Sequence, residues 1–450
     1  MDYGYASEAA EHGTVGRWLR KVFPVKRNEA VTVALLAINC FILLTCYYVL
    51  KVAREPLILL GGGAELKAYA SAGQTLLLLG VVPAFSVLSN RVSRIGLMTT
   101  MQIIFIGCLV AFYVLAQAKA PIGLAFYLWL GIFNVLVVSN FWSFANDLFT
   151  EETGKRVFAV IGLGASIGAI VGAFVPHVLH KYLGIHGLML FAVAGLAISI
   201  VLYRVVDRRE VERIKEVRAQ KAAATSTTAA HDKKGGFSLV IHDRYLRVLA
   251  VMLLVATVIN TCGEYVIGKM ATDNAAHLAK AAQQAYISKF YSDYYGVVNL
   301  VSALLQGLVV ARLLTTLGIR KVLFIMPVIV LGGWLACVFY VNLLMIRIEK
   351  TTENSLDYSL HNTVRQALFL PTSSAAKYKA KAAIDTFFFR MGDVIAGIGI
   401  VFVFVEVLGL GVKAFAALNV VLAVVWILLA YRAGRLHDQL VRENPQPGQG

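Results

Sequence analysis

Charged residues are scarce, at 15% of the chain, and acidic ones scarcer still, with 26 Asp and Glu against 42 Lys and Arg. The five cysteines, Cys40, Cys46, Cys108, Cys262 and Cys337, sit apart in apolar segments with no ligand spacing. That excludes a disulfide framework and a zinc site. No Ser/His/Asp triad, paired-carboxylate or metal-ligand constellation stands out, so no catalytic residue, metal or cofactor is expected. The alternating pattern of a membrane β-barrel is also missing.

What the chain does have is apolar length. Its 450 residues are 58% hydrophobic and its mean hydropathy is +0.71. Crossing ~30 Å of hydrocarbon takes about 20 apolar residues, and roughly twelve runs meet that length. They begin with 31–51 and 72–89 and end with 384–409 and 412–432, and one of them, 353–371, is more polar than the others. Backbone groups in lipid must bond internally, so these are helices. The fold class is an all-α membrane protein of about twelve transmembrane helices in two six-helix halves.

Basic residues mark the inner side of a bilayer. They cluster in the first thirty residues, at Arg91/Arg94, at Lys155/Arg156, through 204–247, at Arg312/Arg320/Lys321, at Lys377/Lys379/Lys381 and in the tail. These fall in every second connection, which places both termini in the cytoplasm and the protein in the cytoplasmic (inner) membrane. The first thirty residues read as a cytoplasmic arm rather than a signal peptide, since no small-residue cleavage site follows the first apolar run. Residues 1–30 form that arm, 31–206 the first half, 207–243 a charged, Ala/Thr-rich and then Gly-rich linker, 244–432 the second half and 433–450 a cytoplasmic tail. The net charge of +16 is explained by retention near anionic lipid. Its spread over short loops argues against nucleic acid as a partner.

Charge at membrane depth survives where it faces a wet cavity or another charge. Lys51 and Arg54 share a helical face, with Glu55 adjacent. They read either as snorkelling residues or as an anion-binding pair gated by the carboxylate, and the expected outward location disfavours snorkelling. Gly61-Gly62-Gly63-Ala64-Glu65-Leu66-Lys67 reads as a flexible loop between the first two spans rather than a phosphate cradle, because it lacks a Walker ending. Gly164, Gly168 and Gly172 lie four apart and read as a helix-packing stripe. Asn260, Glu264 and Lys269 interrupt a later span and read equally as a buried structural group or as a carboxylate opposing the basic residues of the first half. Glu353, Asp357, His361 and Arg365 recur every fourth residue and form one polar stripe lining a cavity. The competing reading makes 347–357 a solvated external loop. Phe141, Trp142 and Phe144 read as interfacial anchors, some of them able to stack on a base. Asp147, Glu151, Glu152, Lys155 and Arg156 suit an inner salt-bridge gate.

Taken together, these residues resemble the bacterial and plastid ATP/ADP translocase family. The likeness runs over most of 31–432. It is concentrated in 50–65, in 141–146 with 162–165, in Asn260 with Glu264, and above all in 357–371 followed by 377–385. The resemblance implies a major-facilitator-like bundle and an anionic small-molecule substrate, a nucleotide or other phosphorylated metabolite, moved by alternating access in exchange. Two positions depart from the family pattern: Ser71 stands where the family places a lysine, and Leu130 where it has an acid. Lys51, Arg54, Lys67, Arg365 and Asn260 are the expected substrate contacts, and Glu55, Glu264, Asp357 and His361 the expected gate or counter-ion groups. Two alternatives stand beside this reading. One is a proton-coupled carrier of another organic solute, with His361 and Glu264 as relay. The other is a scaffold that kept the fold and lost transport.

Overall fold

A computed structural model of the protein describes residues 27–89, 94–211, 213–214, 217, 236–373 and 376–443. The arm expected at 1–30 therefore lies largely outside the described residues, apart from a helical end at 27–30, whereas most of the tail expected at 433–450 is described, with 433–443 helical and 444–450 outside. All regular secondary structure among the described residues is helical. The principal helices are α1 (Arg27–Ser89), α2 (Arg94–Gln117), α3 (Gly123–Leu148), α4 (Glu151–Arg209), α5 (Arg244–Ala275), α6 (Lys280–Leu305), α7 (Ile325–Phe339), α8 (Leu343–Leu356), α9 (Lys381–Val407) and α10 (Val412–Glu443). Among the described residues, eight helical stretches are long and apolar enough to cross a membrane.

Two of those stretches exceed fifty residues, Glu29–Val82 and Val157–Arg209. Straight helices of that length would run ~80 Å, more than twice the hydrocarbon thickness. Each is broken near its middle by a glycine held at positive φ, Gly63 at 75° and Gly184 at 63°. The Gly-rich segment 61–63 is therefore the joint between two helices, as its composition suggests, and only Gly62 and Gly63 leave helical geometry, so the connection is a tight turn rather than a long loop. The consequence is functional, because Lys67 sits on the helix just past the kink and is buried.

Buried side chains gather in two main clusters. One lies within 33–214 and contains Phe126, Phe133, Phe141 and Phe144. The other spans 240–433, contains Tyr291, Tyr294, Trp334 and Trp426, and takes in Val52, Ile58 and Leu59 of α1. Phe141 and Phe144 are thus core residues rather than interfacial anchors or base-stacking platforms. Phe144 meets Tyr203 edge-on at 5.2 Å, and Trp142 meets Phe158 at 5.7 Å. Leu130 is fully buried in the same cluster.

Lipid is as apolar as leucine, so helices in a bilayer associate through close packing rather than hydrophobic burial. The glycines of α4 show how close. A Cβ on Gly164, Gly168 or Gly172 would lie 2.2, 2.4 or 2.5 Å from the carbonyl oxygens of Ala37, Phe41 and Thr45 on α1. These are backbone atoms that no rotamer change can move. Gly168→Leu is expected to destabilise the protein by about 3 kcal/mol or more, read as a lowered melting temperature in detergent. A melting temperature equal to wild type would show that the two helices can separate at no cost.

The stretch between the two groups of helices is partly structured. Helix α4 runs through Arg209, and Gly236–His242 forms a short helix. Phe237 packs there against Phe387 at 5.1 Å. Residues 218–235 lie outside the described residues.

Candidate functional site

The kink at Gly62–Gly63 brings α1 back on itself and sets Lys67 beside Glu55. Lys67 Nζ lies 2.8 Å from Glu55 Oε2 and 3.3 Å from Glu264 Oε2 on α5. It also donates to the Tyr291 hydroxyl of α6 at 3.4 Å. Glu55 is fully buried; Arg54 Nη2 lies 2.6 Å from its Oε1, and the Tyr295 hydroxyl donates to the same oxygen at 3.0 Å. One lysine of the N-terminal helices is thus tied to a carboxylate and a tyrosine of the C-terminal ones.

Glu264 accepts further from the Tyr294 hydroxyl at 3.3 Å and from Asn354 Nδ2 at 3.2 Å. Behind it lies Lys350, fully buried, 3.9 Å from Glu264 and 3.1 Å from Glu353. Asn260 Nδ2 donates to Glu353 at 3.1 Å and to Asn354 Oδ1 at 2.7 Å, and its carbonyl accepts from Lys350. Buried charge is tolerable here because each carboxylate has both a cation and neutral donors.

Lys51 differs from the other cations. Among the described residues no carboxylate lies within salt-bridge distance of it. Its ammonium stands over the rings of Tyr295 at 4.1 Å, Tyr48 at 5.1 Å and Tyr358 at 5.9 Å. Ring faces hold a cation weakly and leave its charge available. Arg54 is similarly placed over Tyr127 at 4.2 Å.

Two hollows meet at Tyr358. The narrower, about 160 Å³, is walled by Lys51, Arg54, Lys67, Glu264, Tyr295 and Asp393, and Ser71 also lines it. The wider, about 620 Å³, is walled by Tyr48, Ser166, Asn299, Asp357, Arg365 and Phe389. The order of residues along each helix shows which end is open. On α1, Leu44 and Tyr48 line the wide hollow and Lys51 the narrow one. On α4, Ala165 and Ala169 line the wide hollow, but one turn on Ala173 accepts a hydrogen bond from Ser292 at 2.5 Å, and past it His177 Nδ1 lies 2.9 Å from Asp293 Oδ1. The cavity is open toward the end where α1 begins and sealed toward the Gly184 kink.

The polar stripe of the later segment does not stay on one face. A π-helical turn, Asp357–His361, interrupts the α-helical repeat, and its wider turn shifts every residue beyond it. Glu353 faces Lys350, Asp357 pairs with His361 at 2.9 Å, and Arg365 faces Asp385 on α9 at 3.8 Å. Asp357 and Arg365 line the wide hollow, and Glu353, Asp357 and His361 line a third one, of about 240 Å³, that also reaches Tyr358. The reading of 347–357 as a solvated loop is wrong, since Lys350 and Glu353 are buried within α8. His361 packs edge-on against Trp426 at 5.5 Å. Lys269 is not part of the site and pairs instead with Asp273 at 3.3 Å. The side chains of Arg91, Arg94, Glu151, Glu152, Lys155, Arg156 and Lys377 lie outside the described residues, which leaves the inner-gate reading undescribed.

Residue pattern alone missed Lys350, Asn354, Tyr358 and the Tyr291/Tyr294/Tyr295 group. The tyrosines carried a usable signal, because at i, i+3 and i+4 their hydroxyls share one helical face inside an apolar run.

This architecture has known counterparts. Residues 36–348 match the Major Facilitator Superfamily. The chain belongs to the Major Facilitator Superfamily. Within that superfamily it is a divergent relative of ADP,ATP carriers: it is 21% identical over 308 residues to ADP,ATP carrier protein 3 of Rickettsia felis, and 20% identical over 309 residues to that of Rickettsia prowazekii. Each match covers 59% of this chain and 60% of the carrier. Among solved structures, the nucleoside transporter NupG superposes with a TM-score of 0.63 at 14% identity, covering 90% of this chain and 99% of that one. A POT family transporter in complex with 5-aminolevulinic acid gives 0.63 at 12% identity, covering 91% and 96%. The fold of this Major Facilitator Superfamily member is therefore that of secondary transporters, and the protein is a multi-pass membrane protein.

Proposed function

We propose that the protein is an alternating-access exchanger of an anionic, nucleotide-like solute. The observation that carries this reading is Lys67. At the sealed base of an open cavity it bridges Glu55 of its own helix and Glu264 of α5, beside two further cations, Lys51 and Arg54. An anion arriving there competes with Glu264 for Lys67. Once it wins, the tie between the two groups of helices is replaced by ties to the solute, and the bundles can rock about it. With no anion the ion pair re-forms and holds the carrier in place, so outward and inward passages are each made loaded. The likeness to ADP,ATP carriers supports a nucleotide-like solute, and Tyr358, at the junction of the two hollows, offers a ring face to a base. The distribution of basic loops supports the inner membrane with both termini cytoplasmic.

The test is uptake of labelled adenine nucleotide into proteoliposomes, either preloaded with unlabelled nucleotide or empty. Exchange predicts uptake that depends on preloading. Equal uptake into empty vesicles would replace exchange with uniport or ion coupling, and uptake that follows an imposed pH gradient would favour proton coupling. Arg365 stands in the wide hollow, facing Asp385. Arg365→Glu sets two carboxylates against each other at the entrance. It is expected to raise KM for the anion by roughly tenfold, since an added like charge near the path costs about 1.4 kcal/mol or more. An unchanged KM would remove Arg365 from the path.

A further inference from the structure

The third hollow, about 240 Å³, carries acceptors with nothing to accept from. It shares Ser71, Asn260, Asn354, Tyr358 and Asp393 with the narrow hollow, so the two are continuous. Glu353 reaches it from α8. Its Oε1 takes both Lys350 Nζ and Asn260 Nδ2, each at 3.1 Å, while its Oε2 is buried with no hydrogen-bond partner among the described residues. A carboxylate paired with an ammonium accepts at both oxygens and donates at neither.

His361 adds a second acceptor. Its Nδ1 lies 2.9 Å from Asp357 Oδ1. A carboxylate oxygen only accepts, so in the neutral ring the proton sits on Nδ1 and Nε2 is bare. Nε2 is likewise buried without a partner among the described residues. Donors on the same walls are turned elsewhere. Thr257 donates to the Leu253 carbonyl at 2.9 Å, and Arg390 faces Asp393 at 3.8 Å. Met326, Tyr358 and Phe389 supply the apolar part of the wall. Buried acceptors left unpaired are costly, so whatever fills this space is selected for the donors it brings.

We infer that the third hollow takes the base of the solute and selects one bearing an exocyclic amino group, with Glu353 Oε2 and His361 Nε2 accepting from its N–H groups. This rests on the nucleotide-like reading above and narrows it. The phosphates stay with Lys51, Arg54 and Lys67, and the base passes Tyr358 to lie against Phe389. An amino group conjugated with a flat ring fits better than a sugar hydroxyl, because it donates twice in the ring plane and asks for no donor in return.

Four ligands separate the inference from the reading it rests on. The purified full chain is titrated with adenosine 5′-diphosphate, with purine riboside 5′-diphosphate, which lacks only the amino group, and with the 2′-deoxy and 3′-deoxy forms of adenosine 5′-diphosphate. The readout is apparent melting temperature, which rises with binding to the folded state. Adenosine diphosphate is expected to bind at least roughly tenfold tighter than the purine riboside compound. Equal affinity for those two would overturn the inference and leave anion exchange standing. A loss confined to the deoxy forms would give the acceptors to the sugar and overturn it as well. No shift with any of the four would sink both. Glu353→Gln then tests the residue. Lys350 and Asn260 hold the amide oxygen, which turns the NH2 into the hollow as a donor. The ratio of the two affinities should fall to near one, and it compares two ligands on one protein, so a change in the variant's own stability does not enter it. An unchanged ratio would remove Glu353 from recognition of the base.

Discussion

Lys67→Met is expected to reduce exchange in proteoliposomes on the order of 100-fold or more. The side chain is buried and makes three polar contacts at once, to Glu55, Glu264 and Tyr291. Removing one member of a buried charge network costs about 3–5 kcal/mol, chiefly because the partners are left uncompensated. Here Glu55 would keep Arg54, but Glu264 would be left with Lys350 at 3.9 Å. Two losses are therefore mixed in the single variant: stability of the empty carrier and affinity for the anion. The double variant Lys67→Met/Glu264→Gln separates them. It removes the stranded carboxylate together with its cation, so its melting temperature should recover most of the loss, a coupling measurable by a double-mutant cycle. Its exchange should stay as low as in the single variant, because the anion still lacks its lysine. Wild-type uptake by Lys67→Met would discard the anion-released lock. Recovery of uptake in the double variant would reduce Lys67 to a structural counter-ion.

The same lysine marks where residue pattern stops being informative. Charges inside the apolar runs were legible as such, and Lys51, Arg54, Glu55, Asn260 and Glu264 do meet around one hollow. Bundle architecture was legible too, because apolar length in a bilayer leaves the backbone little choice but helix. Lys67 was among the expected contacts, but its partners Glu55, Glu264 and Tyr291 were not legible. Three consecutive glycines read as a break between the first two spans, and Gly62 and Gly63 do leave helical geometry there, but which side of the next helix returns toward Glu55 is not written in them. The stripe from Glu353 to Arg365 failed for a related reason: a four-residue repeat assumes an unbroken α-helix, and the π turn at Asp357–His361 violates it. Lys350 went unnoticed because a lysine near the start of a polar segment resembles a solvated one. Only the packing of Trp334, Gly263 and Glu353 around it reveals the burial. Periodicity reports local geometry; which side of a helix meets its neighbour is decided by packing that lies far away in sequence.

A covalent tether across the sealed end should stop exchange while sparing binding. His177 on α4 and Asp293 on α6 pair at 2.9 Å, with their side chains 41% and 30% exposed, so reagents can reach them. One turn from this pair, Ser292 bonds the Ala173 carbonyl. These contacts close one end, and alternating access requires all of them to open each time the cavity turns to the other side. His177→Cys/Asp293→Cys, in a background carrying Cys108→Ser, would place two reactive thiols there; the other four native cysteines are buried. Joined by a short reducible crosslinker, the variant is expected to lose exchange down to the protein-free background and to regain it on reduction. Binding, read as thermal stabilisation by the anion, should persist in the crosslinked form, because the cavity stays open at the opposite end. That combination distinguishes a locked carrier from a misfolded one. Full exchange by the crosslinked protein would mean that α4 and α6 never part at this end. The sealed contacts would then be a fixed seam of the bundle, and the route through the molecule would have to lie elsewhere.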